Sequence, residues 1–200
     1  MSPRPDVSEE RRKQIMQAAM VVFARLGFQQ ARMEDIAREA GLSKGTLYLY
    51  FDSKEAVIMA VQYWFYEVDA AELAPLVEGT MPAEESLTWF THFLAERIAQ
   101  MKEMATLAFE FYALVARNEE VRTSLKQYYA TYQRILAACI RRGIERGELC
   151  EVDADDVATA IISIYEGTFV LFALDPSAVQ WEAQCLATLR LLLASIKTAC

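Results

Sequence analysis

The sequence predicts an all-α protein, in which a three-helix headpiece with a helix-turn-helix precedes a larger helical bundle, about nine helices in all. Glycine and proline, which interrupt helices, number only 7 and 5 in 200 residues. Alanine, leucine, glutamate and arginine, which favour helices, are plentiful. Apolar residues also recur every three to four positions along most of the chain, as the buried face of a helix requires.

The first helix is predicted from Ser8, a favourable N-cap, to Gly27, a favourable stop. Residues 1–7 hold two prolines and no apolar periodicity, so an irregular arm is expected there. The apolar face of the helix consists of Ile15, Met16, Ala19, Val22, Phe23 and Leu26.

Two short helices follow, at Met33 to Ala40 and Lys44 to Tyr50, joined by Gly41-Leu42-Ser43. Glycine permits a sharp turn and serine caps the next helix. Helices of two turns are unstable alone, so both must pack on the first helix. Residues 1–53 are therefore interpreted as a compact trihelical domain.

Residues 54–200 are interpreted as a second, helical domain. Its first helix is predicted from Lys54 to Leu76, capped by Asp52 or Ser53 and broken by Pro75, Gly79 and Pro82. Further helices are predicted at about 83–100, 104–116, 119–146, 154–174 and 177–198.

The charge is unevenly distributed and favours a nucleic-acid partner for one end of the chain only. The formal net charge is −8, but residues 1–54 hold 9 Lys+Arg against 7 Asp+Glu, whereas the remainder holds 11 against 21. Phosphate binding needs positive charge gathered on one face. The basic N-terminal part is therefore the candidate for binding an anionic polymer.

Several function classes find no support in the composition. The longest apolar stretches are too short to span a bilayer and no signal peptide is recognised at the start, so a cytoplasmic protein without a membrane partner is expected. The single histidine, His92, and the absence of a C-x-x-C pair indicate neither a metal site nor a cofactor. No nucleophile, base and orienting group can be named, so an enzyme is not expected. Reduced thiols are expected at Cys139, Cys150, Cys185 and Cys200.

The second short helix has the side chains that entry into the DNA major groove requires. Lys44, Gly45 and Thr46 place small and hydrogen-bonding groups at its N-terminal end, and Gly45 allows the backbone to approach the bases. Tyr48, one turn on, can donate its hydroxyl to a phosphate, and Lys54 adds charge at the start of the next helix.

The stretch from Gly27-Phe28 through Ile36-Ala37 to Lys54 resembles the TetR (tetracycline repressor) family of bacterial regulators, over about the first quarter of the chain. The resemblance implies a dimer with a DNA-binding headpiece and a divergent ligand-binding body. It implies DNA contacts from Met33, Ser43, Lys44, Gly45, Thr46, Tyr48, Leu49, Tyr50 and Lys54. One position departs from the pattern: Arg32 opens the second helix, where relatives often have Ser or Thr. Arginine can reach a phosphate but cannot accept the capping hydrogen bond.

Aromatic residues are concentrated in the second domain, where tyrosine and tryptophan can line an amphipathic cavity. The resemblance places such a cavity among the helices between Lys54 and Arg146. The residues predicted to line it are Trp64, Trp89, Phe93, Phe111, Tyr112, Tyr128 and Tyr132. Of the acidic residues nearby, Glu67, Glu96, Glu103 and Glu110 would favour a cationic ligand if one of them faces the cavity.

The last two helices are apolar on more faces than one bundle can cover, and in the family this pair dimerises as a four-helix bundle. The resulting hypothesis is a homodimeric repressor, released from a palindromic operator by a small molecule. Two alternatives remain open: a thiol-based redox or electrophile sensor on the same scaffold, and a DNA-binding regulator without a ligand.

Overall fold

A computed structural model of the protein describes residues 7–61, 72–100, 105 and 107–198. The described part is helical throughout and contains no strand, which confirms the all-α prediction. Its helices are α1 (Val7–Gln30), α2 (Met33–Glu39), α3 (Lys44–Tyr48), α4 (described over 54–61), α5 (Ala74–Glu78), α6 (Ala83–Gln100), α7 (Leu107–Arg117), α8 (Glu119–Glu145), α9 (Ala154–Leu174) and α10 (Trp181–Thr198).

Helix α1 starts earlier than predicted and is interrupted at Gly27, where the prediction ended it. It starts by Val7, so Ser8 lies inside the first turn rather than at the cap. At Gly27 the backbone leaves helical geometry, with φ 73° and ψ 167°, but the helix resumes as far as Gln30. Gly27 therefore ends the first regular helix at a kink, as predicted, and a short second helical segment follows it as far as Gln30.

The predicted helix from Lys54 to Leu76 does not continue unbroken to Leu76, because a turn at Leu73 precedes Leu76. Helix α4 begins as expected, with the Ser53 hydroxyl accepting a hydrogen bond from the N–H of Ala56 at 3.0 Å. A separate short helix, α5, contains Pro75 in its first turn, where proline's missing N–H costs nothing. The described residues therefore hold ten helices, one more than predicted.

The apolar side chains form two clusters. The first joins α1, α2, α3 and the start of α4, with the fully buried Phe23, Ile36, Leu47 and Val57 at its centre. It also includes Leu107 of α7, a residue from the body. The second cluster lies between α5, α6, α8, α9 and α10.

Among the described residues, one helix, α9, is long and apolar enough to meet the length and composition criterion for a membrane span, a criterion that buried core helices also meet. It meets that criterion by length and by a mean hydropathy of 1.8, because its only charged residues are Asp155, Asp156 and Glu166. Only 33% of this apolar stretch is buried inside the protomer. Helix α9 packs against α8 and α10. Leu171 and Leu174, near its C-terminal end, remain more than half exposed.

Candidate nucleic-acid interface

The turn between α2 and α3 is fixed by main-chain and side-chain hydrogen bonds. Gly41 adopts a positive φ of 66°, and the N–H of Leu42 then bonds the carbonyl of Ala37 at 2.8 Å. The Ser43 hydroxyl caps α3 by accepting from the N–H of Thr46 at 3.0 Å, as predicted. From α1, the Gln14 side chain donates to the carbonyl of Ala40 at 2.6 Å. The angle between α2 and α3 is thereby set by the headpiece itself.

Helix α3 presents one face to the core and the other to solvent. Leu47 is fully buried, whereas Lys44, Gly45, Tyr48 and Leu49 are exposed, Leu49 to 83%. The exposed side of α3 therefore combines a cation, an aromatic hydroxyl and apolar groups.

Gly45 lies on this exposed side without any internal reason to be glycine. Its φ is not positive, and a Cβ added there would meet only the Ser43 hydroxyl oxygen, at 3.9 Å. That distance is ordinary van der Waals contact, so the folded chain itself would accept a side chain. The space that glycine leaves is on the outside of the molecule.

Lys44 is ion-paired with Glu34 of α2, whose carboxylate oxygen accepts from the lysine Nζ. This hydrogen bond lowers the pKa of Glu34 and raises the pKa of Lys44. The Lys44 Nζ also lies 5.8 Å from the centre of the Tyr48 ring. Both members of the pair are about half exposed, so the bond is accessible to competing ions.

At the start of α2, the predicted DNA contact of Met33 is limited to its main chain, and the role of Arg32 becomes clearer. Met33 is only 7% exposed and packs in the headpiece core, so its side chain is not available to DNA. Arg32 is exposed and its side chain makes no capping bond, as expected of a residue without an acceptor. Capping comes instead from Asp35, whose carboxylate accepts from the N–H of Arg32 at 3.1 Å.

Two more predicted contacts have internal partners. Lys54 donates to three main-chain carbonyls at the end of α1, those of Phe28 at 2.5 Å, Gln29 at 3.2 Å and Ala31 at 3.0 Å. Tyr50 is half-buried and packs against the headpiece cluster. The ammonium group of Lys54 thus caps the C-terminal end of α1. Its contact with a DNA phosphate stays a prediction.

Sequence reasoning missed the role of Arg12 of α1, a half-buried residue that contacts the segment after α3. Its guanidinium lies 4.5 Å from the centre of the Phe51 ring and donates to the carbonyl of Tyr50 at 3.1 Å. Arg12 therefore holds the segment between α3 and α4 against α1. No periodicity signals such a contact, because it joins residues 38 positions apart.

In the body, four of the predicted pocket residues belong to one apolar cluster. Trp89 and Phe93 of α6 stack with ring centres 5.4 Å apart, and Tyr128 and Tyr132 of α8 meet edge to face at 4.3 Å. All four belong to the body cluster. Trp64 lies outside the described residues. That these four residues contact a ligand stays a prediction.

The remaining pocket residues, Phe111 and Tyr112, lie on α7 with ring centres 6.3 Å apart. The Tyr112 hydroxyl donates to the Glu166 carboxylate of α9 at 2.8 Å, a partner that sequence reasoning missed. Glu110, considered for a cationic ligand, instead contacts the main chain of the headpiece. Glu96 is exposed, and Glu67 and Glu103 lie outside the described residues.

The cysteines fall into two groups. Cys139 and Cys185 are free and buried, and burial raises the pKa of Cys139 and raises that of Cys185 to about 12. Cys150 is disulfide-bonded, so the expectation of reduced thiols is wrong for this residue. Cys200 lies outside the described residues.

Two family models match the chain. Residues 15–61 match the model of bacterial regulatory proteins of the tetR family, which spans the headpiece and the start of α4. Residues 82–197 match the C-terminal model of BetI-type transcriptional repressors, which spans α6 to α10.

Similar proteins are regulators of transcription, which are not enzymes. The HTH-type transcriptional regulator YfiR of Bacillus subtilis is 30% identical over 74% of this chain and 73% of its own length. UidR of Escherichia coli, another HTH-type transcriptional regulator, is 29% identical over 94% of this chain and 93% of its own.

Solved structures share the fold over nearly the whole chain. A TetR transcription regulator of Haloarcula marismortui superposes with a TM-score of 0.85 at 19% identity, covering 94% of this chain and 98% of that one. A transcriptional regulator of Saccharomonospora viridis in complex with choline gives 0.81 at 19% identity, covering 93% and 96%. FadR of Bacillus subtilis in complex with stearoyl-CoA gives 0.79 at 24% identity, covering 92% and 98%.

Proposed function

Because this chain belongs to the tetR family of bacterial regulatory proteins, we propose that it is a homodimeric repressor that leaves a palindromic operator when a small molecule binds its body. The broader function, that of a ligand-responsive DNA-binding transcriptional regulator, is common to its relatives and structural neighbours. We divide it into a DNA-binding domain at residues 1–53 and a ligand-binding and dimerisation domain at 54–200. Since its target is chromosomal DNA, we place its action in the cytoplasm.

The exposed N-terminal end of α3, with Gly45 open to the outside, carries this proposal. A helix enters the major groove with its first residues against the base edges, and any Cβ at the closest point holds the backbone away. Lys44, Thr46 and Leu49 then offer a cation, a hydroxyl and a methyl-bearing side chain to the bases, while Tyr48 and Arg32 reach phosphates. Ser43 and the main chain at Met33 complete the contacts at the helix starts.

The proposed dimer interface is the outer face of α9 and α10. Leu171 and Leu174 of α9 and Leu191 of α10 are 55%, 65% and 73% exposed in the protomer. Burying three such side chains against a two-fold copy would remove a large apolar area from water. A symmetric pair of these helices gives a four-helix bundle, and it presents two copies of α3 to half-sites about 34 to 36 Å apart or a multiple of that.

The proposed effector site lies among the aromatic side chains of α6, α7 and α8. Stacked and edge-to-face rings offer an apolar surface, and phenol groups such as those of Tyr112 and Tyr128 offer hydrogen bonds at its margin. Arg97 lies 5.5 Å from the centre of the Phe93 ring, and Glu166 bonds Tyr112, so charges of both signs border these rings. We therefore propose an amphipathic effector that carries a charge.

Selection of bound fragments from a random DNA pool by the purified dimer tests the regulatory function. We expect an enriched palindrome whose half-sites are separated by about one helical turn or a multiple. Adding choline or a long-chain acyl-CoA, ligands of the structural neighbours named above, then tests release, with thermal unfolding as a second measure of binding. A ligand at 100 times its dissociation constant stabilises the folded state by about 2.7 kcal/mol. Enrichment of no sequence would contradict the proposal.

The disulfide at Cys150 supports one alternative, a redox sensor on the same scaffold. In that case reduction or peroxide would change operator binding without any ligand, and a Cys150→Ser variant would not respond. A regulator without a ligand would bind the operator equally in every one of these conditions.

A further inference from the structure

One carboxylate of the body holds the headpiece by its main chain. The Glu110 Oε2 of α7 accepts hydrogen bonds from the N–H of Phe28 at 2.7 Å and from the N–H of Gln29 at 3.2 Å. These N–H groups follow the kink in α1 and would otherwise lack a helical partner. A half-buried carboxylate that accepts two N–H groups makes charge-assisted bonds, which are stronger than neutral ones.

Gly27 meets two separate requirements of this contact. Its φ of 73° and ψ of 167° fall in a region essentially limited to glycine. In addition, a Cβ at Gly27 would lie 2.6 Å from the Glu110 Oε1, closer than real Cβ contacts come. The glycine therefore forms the kink and also leaves the space through which the carboxylate reaches the backbone.

The other side of the same peptide segment is held by α4. The carbonyls of Phe28 and Gln29 accept from the Lys54 Nζ, so these two residues lie between a carboxylate of α7 and an ammonium of α4. Leu107 of α7 is buried in the headpiece cluster and Leu114 packs against it. Any displacement of α7 must therefore move residues 27–29 or break these bonds.

Helix α7 is also fastened to the helix proposed to dimerise, through Tyr112 and Glu166. We infer that Glu110 is a positioning residue for operator binding, which sets the headpiece against the dimerising body through Phe28 and Gln29. The inference rests on the proposed DNA-binding dimer. Operator binding needs two headpieces held at one spacing, whereas random DNA can be bound by either headpiece alone.

Replacing Glu110 by alanine tests this role, and Glu145→Ala is its control. Glu145 is exposed at the end of α8, so its substitution removes the same charge without touching the headpiece. Relative to this control, we expect Glu110→Ala to bind the selected operator about tenfold more weakly, which corresponds to about 1.4 kcal/mol. Affinity for a random duplex should match the control, and the amides of Phe28 and Gln29 should exchange hydrogen at least about tenfold faster.

Operator affinity of Glu110→Ala within twofold of the control, in a folded dimer, would overturn the inference. If the alanine variant does not fold, Glu110→Gln serves with Glu145→Gln as its control, because glutamine keeps the size and loses the charge. A wild-type protein that selects no DNA sequence would refute the proposed function. In that case amide exchange at Phe28 and Gln29 unchanged by the substitution would separately refute the contact.

Discussion

Lys44, the first residue of α3, is neutralised in the DNA-free protein by an ion pair with Glu34 of α2. The pair joins the two helices of the helix-turn-helix on their solvent side. If Lys44 binds DNA, a base or phosphate must first displace Glu34. The Glu34 carboxylate therefore competes with DNA for the ammonium group of Lys44.

Substitution of this competitor should strengthen DNA binding. We expect Glu34→Gln to raise affinity for operator and random DNA by about two- to fivefold, because exposed ion pairs contribute about 0 to 1 kcal/mol. Fluorescence anisotropy at fixed salt measures the change. Glu39→Gln is the matched control, since it removes the same charge and another exposed ion pair, that with Arg25, away from α3. Equal effects of the two variants would assign the gain to net charge alone.

Gly45→Ala should separate binding from folding. The added Cβ meets only the Ser43 hydroxyl at 3.9 Å, so we expect unfolding stability unchanged or raised by up to about 1 kcal/mol. Operator affinity should fall at least about tenfold, because the methyl group separates backbone from bases. Gly41→Ala provides the contrast: nothing surrounds its Cβ, but its φ of 66° should cost about 1 to 2 kcal/mol of stability. Normal operator binding by Gly45→Ala would refute the proposed docking of α3.

Lys54→Ala should destabilise the headpiece. Loss of three hydrogen bonds to the end of α1 is expected to lower the free energy of unfolding by about 1 to 2 kcal/mol, after allowance for partial exposure. Chemical denaturation measures it. The salt dependence of DNA binding should keep the wild-type slope, because a residue bound to carbonyls releases no counterion. If the slope of log affinity against log salt concentration were smaller in magnitude by about 0.9, Lys54 would instead be assigned to a phosphate contact.

Leu191→Glu should break the dimer. Leu191 is 73% exposed on α10, and a buried unpaired carboxylate at a two-fold interface is strongly unfavourable. Analytical ultracentrifugation should then show a monomer that no longer binds the operator. Val77→Glu, at a 62% exposed position on α5, should remain dimeric. A dimeric Leu191→Glu would place the interface elsewhere.

Thiol labelling should distinguish the cysteines by pH. Burial raises the pKa of Cys185 to about 12, so its thiolate is scarce at neutral pH and its alkylation should keep accelerating well above pH 9. Cys139, also buried with a raised pKa, should behave similarly. Mass spectrometry after brief labelling of the reduced protein at pH 7.5 should find little modification of either thiol. Rapid labelling of Cys185 at that pH would show that its site opens.

Much of the headpiece follows from short-range pattern. Apolar spacing and turn residues predicted α1, α2, α3, the Ser43 cap and the exposed face with Lys44, Gly45 and Tyr48, because each depends on neighbours within a few positions. The same reasoning failed at Pro75, which lies in the first turn of the separate helix α5 rather than in the last turn of one long helix. Proline is compatible with the first turn of a helix and also interrupts a helix, so its position alone does not distinguish the two.

The sequence by itself thus determined the helical fold, the regulatory family and the residues on the exposed face of α3. Only the tertiary structure decided how Lys44, Lys54, Arg12 and Glu110 are engaged, and that Met33 is a core residue. A local pattern specifies which side of a helix is apolar, but a charged side chain is satisfied by whatever group the folded chain brings within about 3 Å. For Glu110 that group is a main-chain N–H 82 residues away, which no spacing along the sequence encodes.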